Sequence, residues 1–183
     1  GSVLVAQTMT AMVDVSVVVA LFVGLRDRER PAYPALIYAL LPTAAVESAV
    51  SAHIDVLALA AMAWAWVALG RRRLVLSSLL IILGVGAKLL PILVVPWLFW
   101  NHRNRHTWWG VGVGTAVLGL MALPVANGGT TLLAGFSTYA ATWQFNGFAF
   151  PWANQLLGSA TRPTLMLIGG LVVGASTLRA RRF

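Results

Sequence analysis

The chain has no cysteine, a single lysine and only five acidic residues among 183. Without cysteine, neither disulfides nor thiolate metal sites can form. Three histidines with no second cluster of ligands leave no zinc site to propose. Charge of any kind is scarce: Asp, Glu, Lys and Arg together make up 10% of the residues, against 59% hydrophobic. A soluble domain of this length has too little interior to hide so much apolar surface. The period-two alternation of short outer-membrane barrel strands is also missing.

Long apolar runs fill the sequence instead, and the mean hydropathy is +0.82. A helix needs ~20 apolar residues to cross a bilayer, and several runs approach that length. The sequence therefore predicts an all-α polytopic integral membrane protein of about seven transmembrane or half-length helices. They fall at 3–25, 32–45, 56–69, 74–87, 89–100, 108–125 and 164–178, in one transmembrane domain over 1–183. A longer, less apolar loop covers 126–162. The first run is too long for the h-region of a signal peptide and has no basic residues before it. The opening Gly1-Ser2 reads as an expression scar or as the interior of a longer chain.

The net charge of +8 lies in short clusters between the runs: "RDRER", "GRRR", "NHRNRH" and "RARRF". That is the pattern of cytoplasmic loops rather than of a nucleic-acid surface. The expected partner is the lipid bilayer, the expected location the plasma membrane, and nucleic acid is not expected. The stretch 74–100 reads either as one kinked helix or as two short ones that turn at Lys88. A turn there puts eleven of the twelve arginines on one side, with Arg162 the exception. The positive-inside rule favours that turn. It also brings Glu47, His53, Asp55, Lys88 and the loop 126–162 to the opposite, external face.

Each polar feature carries two readings. Asp14, inside the first apolar run with Gln7 one or two turns away, is either part of a polar interior site or a helix contact bonded to a neighbouring hydroxyl. Asp55 is either an N-cap or, with Glu47 and His53, the lining of a cavity. Lys88 either snorkels to the headgroups or receives a phosphate as a point charge. The loop "STYAATWQFNGFAFPWANQLLG" is either an interfacial aromatic belt or a sugar-contacting surface of rings and amides. The small residues in "VGVGTAVLG" and "LIGGLVVGA" read as helix-packing faces. Neither follows a strand, which excludes a nucleotide-binding fold.

Three stretches and the spacing of the spans give the chain a resemblance to GT-C glycosyltransferases that use lipid-linked sugars, in particular the bacterial polyprenyl-phosphate mannosyltransferase-like members. "LPTAAVESAVSAHIDVLALAAMAWAWVALGRRR" is similar to the family's proline, acidic residue and His–Asp pair opening a helix with a basic end. "LGVGAKLLPILVVP" is similar to its lysine followed by prolines at the external face. "YAATWQFNGFAF" is similar to its Tyr, Trp and Phe-Asn loop. The resemblance implies transfer of a hexose such as mannose from a polyprenyl-phosphate donor to an acceptor glycan or lipid, with no protein-bound cofactor and no metal. The implied substrate- and donor-binding residues are Glu47, His53, Asp55, Lys88, Tyr139, Trp143, Asn146 and Arg162. In these enzymes the catalytic acidic residue lies in the first external loop. Here Glu47 and Asp55 match a later motif, so the chain reads as the central and C-terminal part of a longer enzyme, with its catalytic acid upstream. A transporter or lipid flippase domain and a non-catalytic membrane scaffold are the competing classes.

Overall fold

The computed structural model describes residues 2–102, 104–126, 134, 138 and 149–179. Among the described residues every regular element is helical. The chain divides into two units, Gly1–Gly119 and Leu120–Phe183.

In the first unit, α1 (Ser2–Arg26) runs for 25 residues. A tight turn closes it, with Arg30 N–H donating to Leu25 O at 2.9 Å. Two short helices follow, α2 (Tyr33–Ala39) and α3 (Pro42–Ala45). They were expected as one helix over 32–45. Proline at 42 disfavours helical geometry in the residue before it, and Leu41 is extended at φ −71°, ψ 113°. The segment from α2 to Val50 is consequently bent by 52°. Beyond α3 the backbone widens into one π-helical turn, Val46–Val50.

Helix α4 (Asp55–Gly70) is the centre of the unit. Successive helical residues are ~100° apart, so Val56, Ala60, Ala63 and Val67 share one face, and that face packs on Val17 and Ala20 of α1. Ala65 lies on the opposite face, against Ile81 of α5 (Leu74–Ala87). Ser77 of α5 is fully buried and donates to Ala65 O at 3.0 Å. In lipid there is little hydrophobic drive between helices, so close van der Waals contact and such hydrogen bonds hold them. The alanines of α4 permit that approach on both sides.

The chain reverses at Lys88, as the arginine distribution predicts. Lys88 is extended, φ −155° and ψ 140°, and a 3₁₀ turn (Leu90–Val94) leads into α6 (Val95–Asn101). Leu98 of α6 then packs against Ile81 and Ala65, which requires α6 to run back along α5. Helix α7 (Arg105–Ala126) follows. A Cβ at Gly110 would collide with Ser78 and the Val75 backbone, and one at Gly114 would crowd Ile82. These two glycines, four apart, let α7 lie directly on α5. Gly112 and Gly119 meet nothing within 4 Å.

Three arginine clusters gather at one end of this unit. Arg71 donates to Asp27 at 2.6 Å, and Arg28 donates to Trp66 O at 3.0 Å. The packing of Gly110 beside Val75 brings the start of α7, with Arg105, to the same end. The hydrogen bond from Arg71 holds the Asp27 carboxyl below the usual carboxylate range. A carboxyl depressed in this way adds stability above its unfolded pKa and loses it as pH falls through the folded value. Both side chains are exposed, so the effect is small.

In the second unit, α8 (Ala149–Leu157), a 3₁₀ turn (Gly158–Ala160) and α9 (Thr161–Arg179) are described. The expected loop over 126–162 is therefore helical from 149 on. Proline at 151 is compatible with this because it falls in the first turn of α8. Thr161, fully buried, ties α9 to α8 by donating to Ala153 O and Gly158 O at 3.2 and 2.8 Å. Gly169, Gly170 and Gly174 meet nothing within 4 Å, so "LIGGLVVGA" is not a packing face among the described residues.

The expected count of about seven transmembrane or half-length helices is not confirmed by length and composition among the described residues. Among the described residues, two helices are long and apolar enough to cross a membrane, at Ser2–Arg26 and Arg105–Pro124, and the bent pair Tyr33–Ala39 plus Pro42–Val50 makes a third if it is one span. Helices α4 and α5 are apolar but shorter, at 16 and 14 residues. The native chain has no cysteine, so single cysteines can test which ends face the same side. Cysteine at exposed Leu89 should react with an impermeant thiol reagent from one side of the membrane only. Cysteine at Arg72 or Asn104 should react only from the other. Labelling of all three from one side would contradict the fold.

Candidate functional site

A cavity of about 400 Å³ opens at the end of the first unit away from the arginines. Its back wall is the third face of α4, carrying Asp55, Leu59 and Met62. By the ~100° helical step, this face lies between the face covered by α1 and the face covered by α5. Asp14 enters from the α1 side, and Lys88, Leu90 and Pro91 from the α5 side. Tyr38, Thr43, Ala44, Glu47 and Ser48 close the remaining wall.

The structure brings four sequence-predicted residues to this cavity: Glu47, His53, Asp55 and Lys88. The Lys88 ammonium donates to Asp55 Oδ2 in an ion pair, with the two side chains 33% and 49% exposed. Asp55 is the first residue of α4 and caps nothing: Ile54 holds the cap position, without a side-chain bond. Its carboxylate still complements the positive end of the helix. His53 Nε2 lies 3.4 Å from Glu47 Oε2, both largely exposed. Lys88 has three N–H donors; the bond to Asp55 uses one and leaves two for a ligand.

Arg162 is in the second unit, its guanidinium 5.9 Å from the Phe150 ring centre. Tyr139, Trp143 and Asn146 lie outside the described residues.

Asp14 is the helix contact of one of its two readings, and it faces the cavity that the other would need. Tyr38 donates to Oδ1 at 2.5 Å and Ser48 to Oδ2 at 3.1 Å. Tyr38 and Ser48 were not anticipated from the sequence, yet a signal for their partner was present. Gln7, Thr10 and Asp14 recur at the spacing of one helix face. The whole stripe is used: Gln7 donates to Val50 O at 2.8 Å and Thr10 to Ser48 O at 2.5 Å. The π turn is thus held to α1 by its own carbonyls. Such turns often mark functional segments. This one is followed by Ala52 at φ +50°, an unfavourable conformation for a residue with a Cβ. His53 N–H closes the loop onto Glu47 O at 2.9 Å. The stripe on α1 therefore fixes the segment that carries Glu47 and His53.

Thr10→Val keeps the shape of the side chain and removes its donor to the buried Ser48. We expect a loss of about 1 kcal/mol of stability, read as a lower Tm in detergent. Thr10→Ser should restore it. An unchanged Tm in Thr10→Val would show that the stripe does not hold the π turn.

The model of glycosyltransferase family 87 matches residues 2–183. No curated protein matches the chain, and no solved structure does. A match over this length places the chain in glycosyltransferase family 87.

Proposed function

With membership of glycosyltransferase family 87 as the premise, we propose that the chain takes part in moving a hexose such as mannose from a polyprenyl-phosphate donor to an acceptor glycan or lipid. The observation that carries this reading is the joining of Lys88 and Asp55 in the wall of a cavity that also presents the apolar side chains of Leu59, Met62 and Leu90. Family membership weighs against the transporter and scaffold alternatives.

The depth of the pair supports a lipid-linked ligand. Helices α4 and α5, with 16 and 14 residues, span ~24 and ~21 Å at 1.5 Å per residue. If the arginine end sits at the cytoplasmic interface, the Lys88 turn stops roughly 6–9 Å short of the far side of a ~30 Å hydrocarbon core. A cation at such depth is costly unless paired, and Asp55 supplies the partner. A phosphate on a lipid reaches this level from within the outer leaflet, past the exposed Leu59 and Leu90.

In the transfer, the acceptor oxygen attacks the anomeric carbon, and the bond from that carbon to the phosphate oxygen breaks. The phosphate leaves with the bonding electrons. A fixed cation where this charge develops lowers the barrier, and in this reading Lys88 is that cation. His53 adds positive charge when protonated. A carboxylate takes the acceptor's proton in such chemistry; Glu47 and Asp55 act here as partners of His53 and Lys88 rather than as that base.

The test is transfer from radiolabelled polyprenyl-phosphate mannose in membranes that express the full-length enzyme. Lys88→Ala should lower kcat/KM by about 100-fold or more at normal expression. Lys88→Arg should retain part of the activity, since it keeps the charge. Full transfer by Lys88→Ala would sink the assignment.

A further inference from the structure

The cavity has a second polar wall for which the lipid phosphate has no use. Facing Lys88 across the Asp55–Leu59–Met62 surface are Asp14, Tyr38 and Ser48. An ionised carboxylate has about four acceptor sites, and Tyr38 and Ser48 occupy two of those on Asp14. The remaining capacity is available to a ligand. Tyr38 gives its proton to Asp14, so its oxygen is left as an acceptor too. Neither group is cationic, and nothing on this wall suits an anion. A cluster of acceptors beside the apolar side chains of Leu59 and Met62 suits a neutral polyol instead. Its hydroxyls donate to the carboxylate and phenol, and its C–H face lies on the hydrocarbon. Such polar groups, fixed in place by one another, also discriminate strongly, because a ligand lacking the hydroxyl leaves them unpaired.

We propose that Asp14 and Tyr38 form a hydroxyl-recognition subsite that holds the sugar ring of the donor while Lys88 holds its phosphate. This rests on the lipid-phospho-sugar reading given above and divides the cavity into two separable halves. The two halves lie on opposite sides of one α4 face, so a ring directly bonded to the phosphate at Lys88 extends toward Asp14. Ser48 is a positioning residue: it donates to Asp14 and is itself 4% exposed.

Equilibrium binding to the purified full-length protein in detergent separates the halves. The two probes are polyprenyl-phosphate mannose and the same polyprenyl phosphate without sugar. Asp14→Asn and Tyr38→Phe should each weaken binding of the mannosyl lipid by about tenfold. Binding of the bare lipid phosphate should stay within about twofold of wild type. Lys88→Gln should weaken both probes. If Asp14→Asn fails to fold, Tyr38→Phe carries the test, since it keeps the ring and removes only the hydroxyl. Equal weakening of both probes by the Asp14 and Tyr38 variants, or of neither, would overturn the subsite. If neither probe binds wild type, or Lys88→Gln binds both normally, the lipid-phosphate reading itself fails. That result is distinct from a loss of sugar preference alone.

Discussion

The ion pair between Lys88 and Asp55 governs the cavity end of the molecule. It ties the reversal after α5 to the first residue of α4, two points 33 residues apart in the chain. An unpaired ammonium in an apolar surrounding would be expelled toward the interface. With Asp55 beside it, Lys88 stays in the cavity wall, and the extended backbone at this residue ends α5 there. The same pair keeps charge at the mouth while two lysine donors are left over. One interaction thus ties the turn at Lys88 to the start of α4 and keeps an ammonium in the cavity wall.

Around that pair, the bundle is assembled by small residues and backbone carbonyls. Helix α4 offers alanine to α1 on one face and to α5 on the other. Such close contacts suit a medium in which apolar surfaces gain little by leaving lipid. The third face of α4 is left uncovered, and the cavity occupies it. On its α1 side, Gln7 and Thr10 hold the carbonyls of a π turn, and Asp14 holds Ser48 and Tyr38. A helix that the sequence presents as an apolar run interrupted by Gln7 and Asp14 is also the fixture for the cavity's least regular segment.

Much of this was legible beforehand. Hydropathy gave the helical class, and the arginine clusters gave the reversal at Lys88, because the positive-inside rule acts on features that local sequence carries. The convergence of Glu47, His53, Asp55 and Lys88 followed from that topology. Other features depended on three-dimensional angles. The bend of 52° that carries Tyr38 toward Asp14 arises from Pro42, but its direction is set by packing. The count of about seven included half-length helices such as α4 and α5, at 16 and 14 residues, and length and composition alone do not say which of these cross the membrane. Asp55 was split between cap and cavity lining; Ile54 takes the cap position, and Asp55 pairs with Lys88 in the cavity wall. The polar stripe on α1 was visible as a spacing, but its partners are backbone groups, which no side-chain pattern reveals.

The central claim is that the cavity between Asp14 and Lys88 holds a lipid phosphate within the membrane. The most direct measurement is photo-crosslinking with a polyprenyl phosphate that carries a diazirine on its first isoprene unit, followed by mass-spectrometric mapping of the adducts. The account predicts labels on Leu59, Met62 and Leu90, lost on competition with unlabelled lipid phosphate. Labels confined to the arginine end, or spread evenly over the exposed face of α1 without competition, would contradict it.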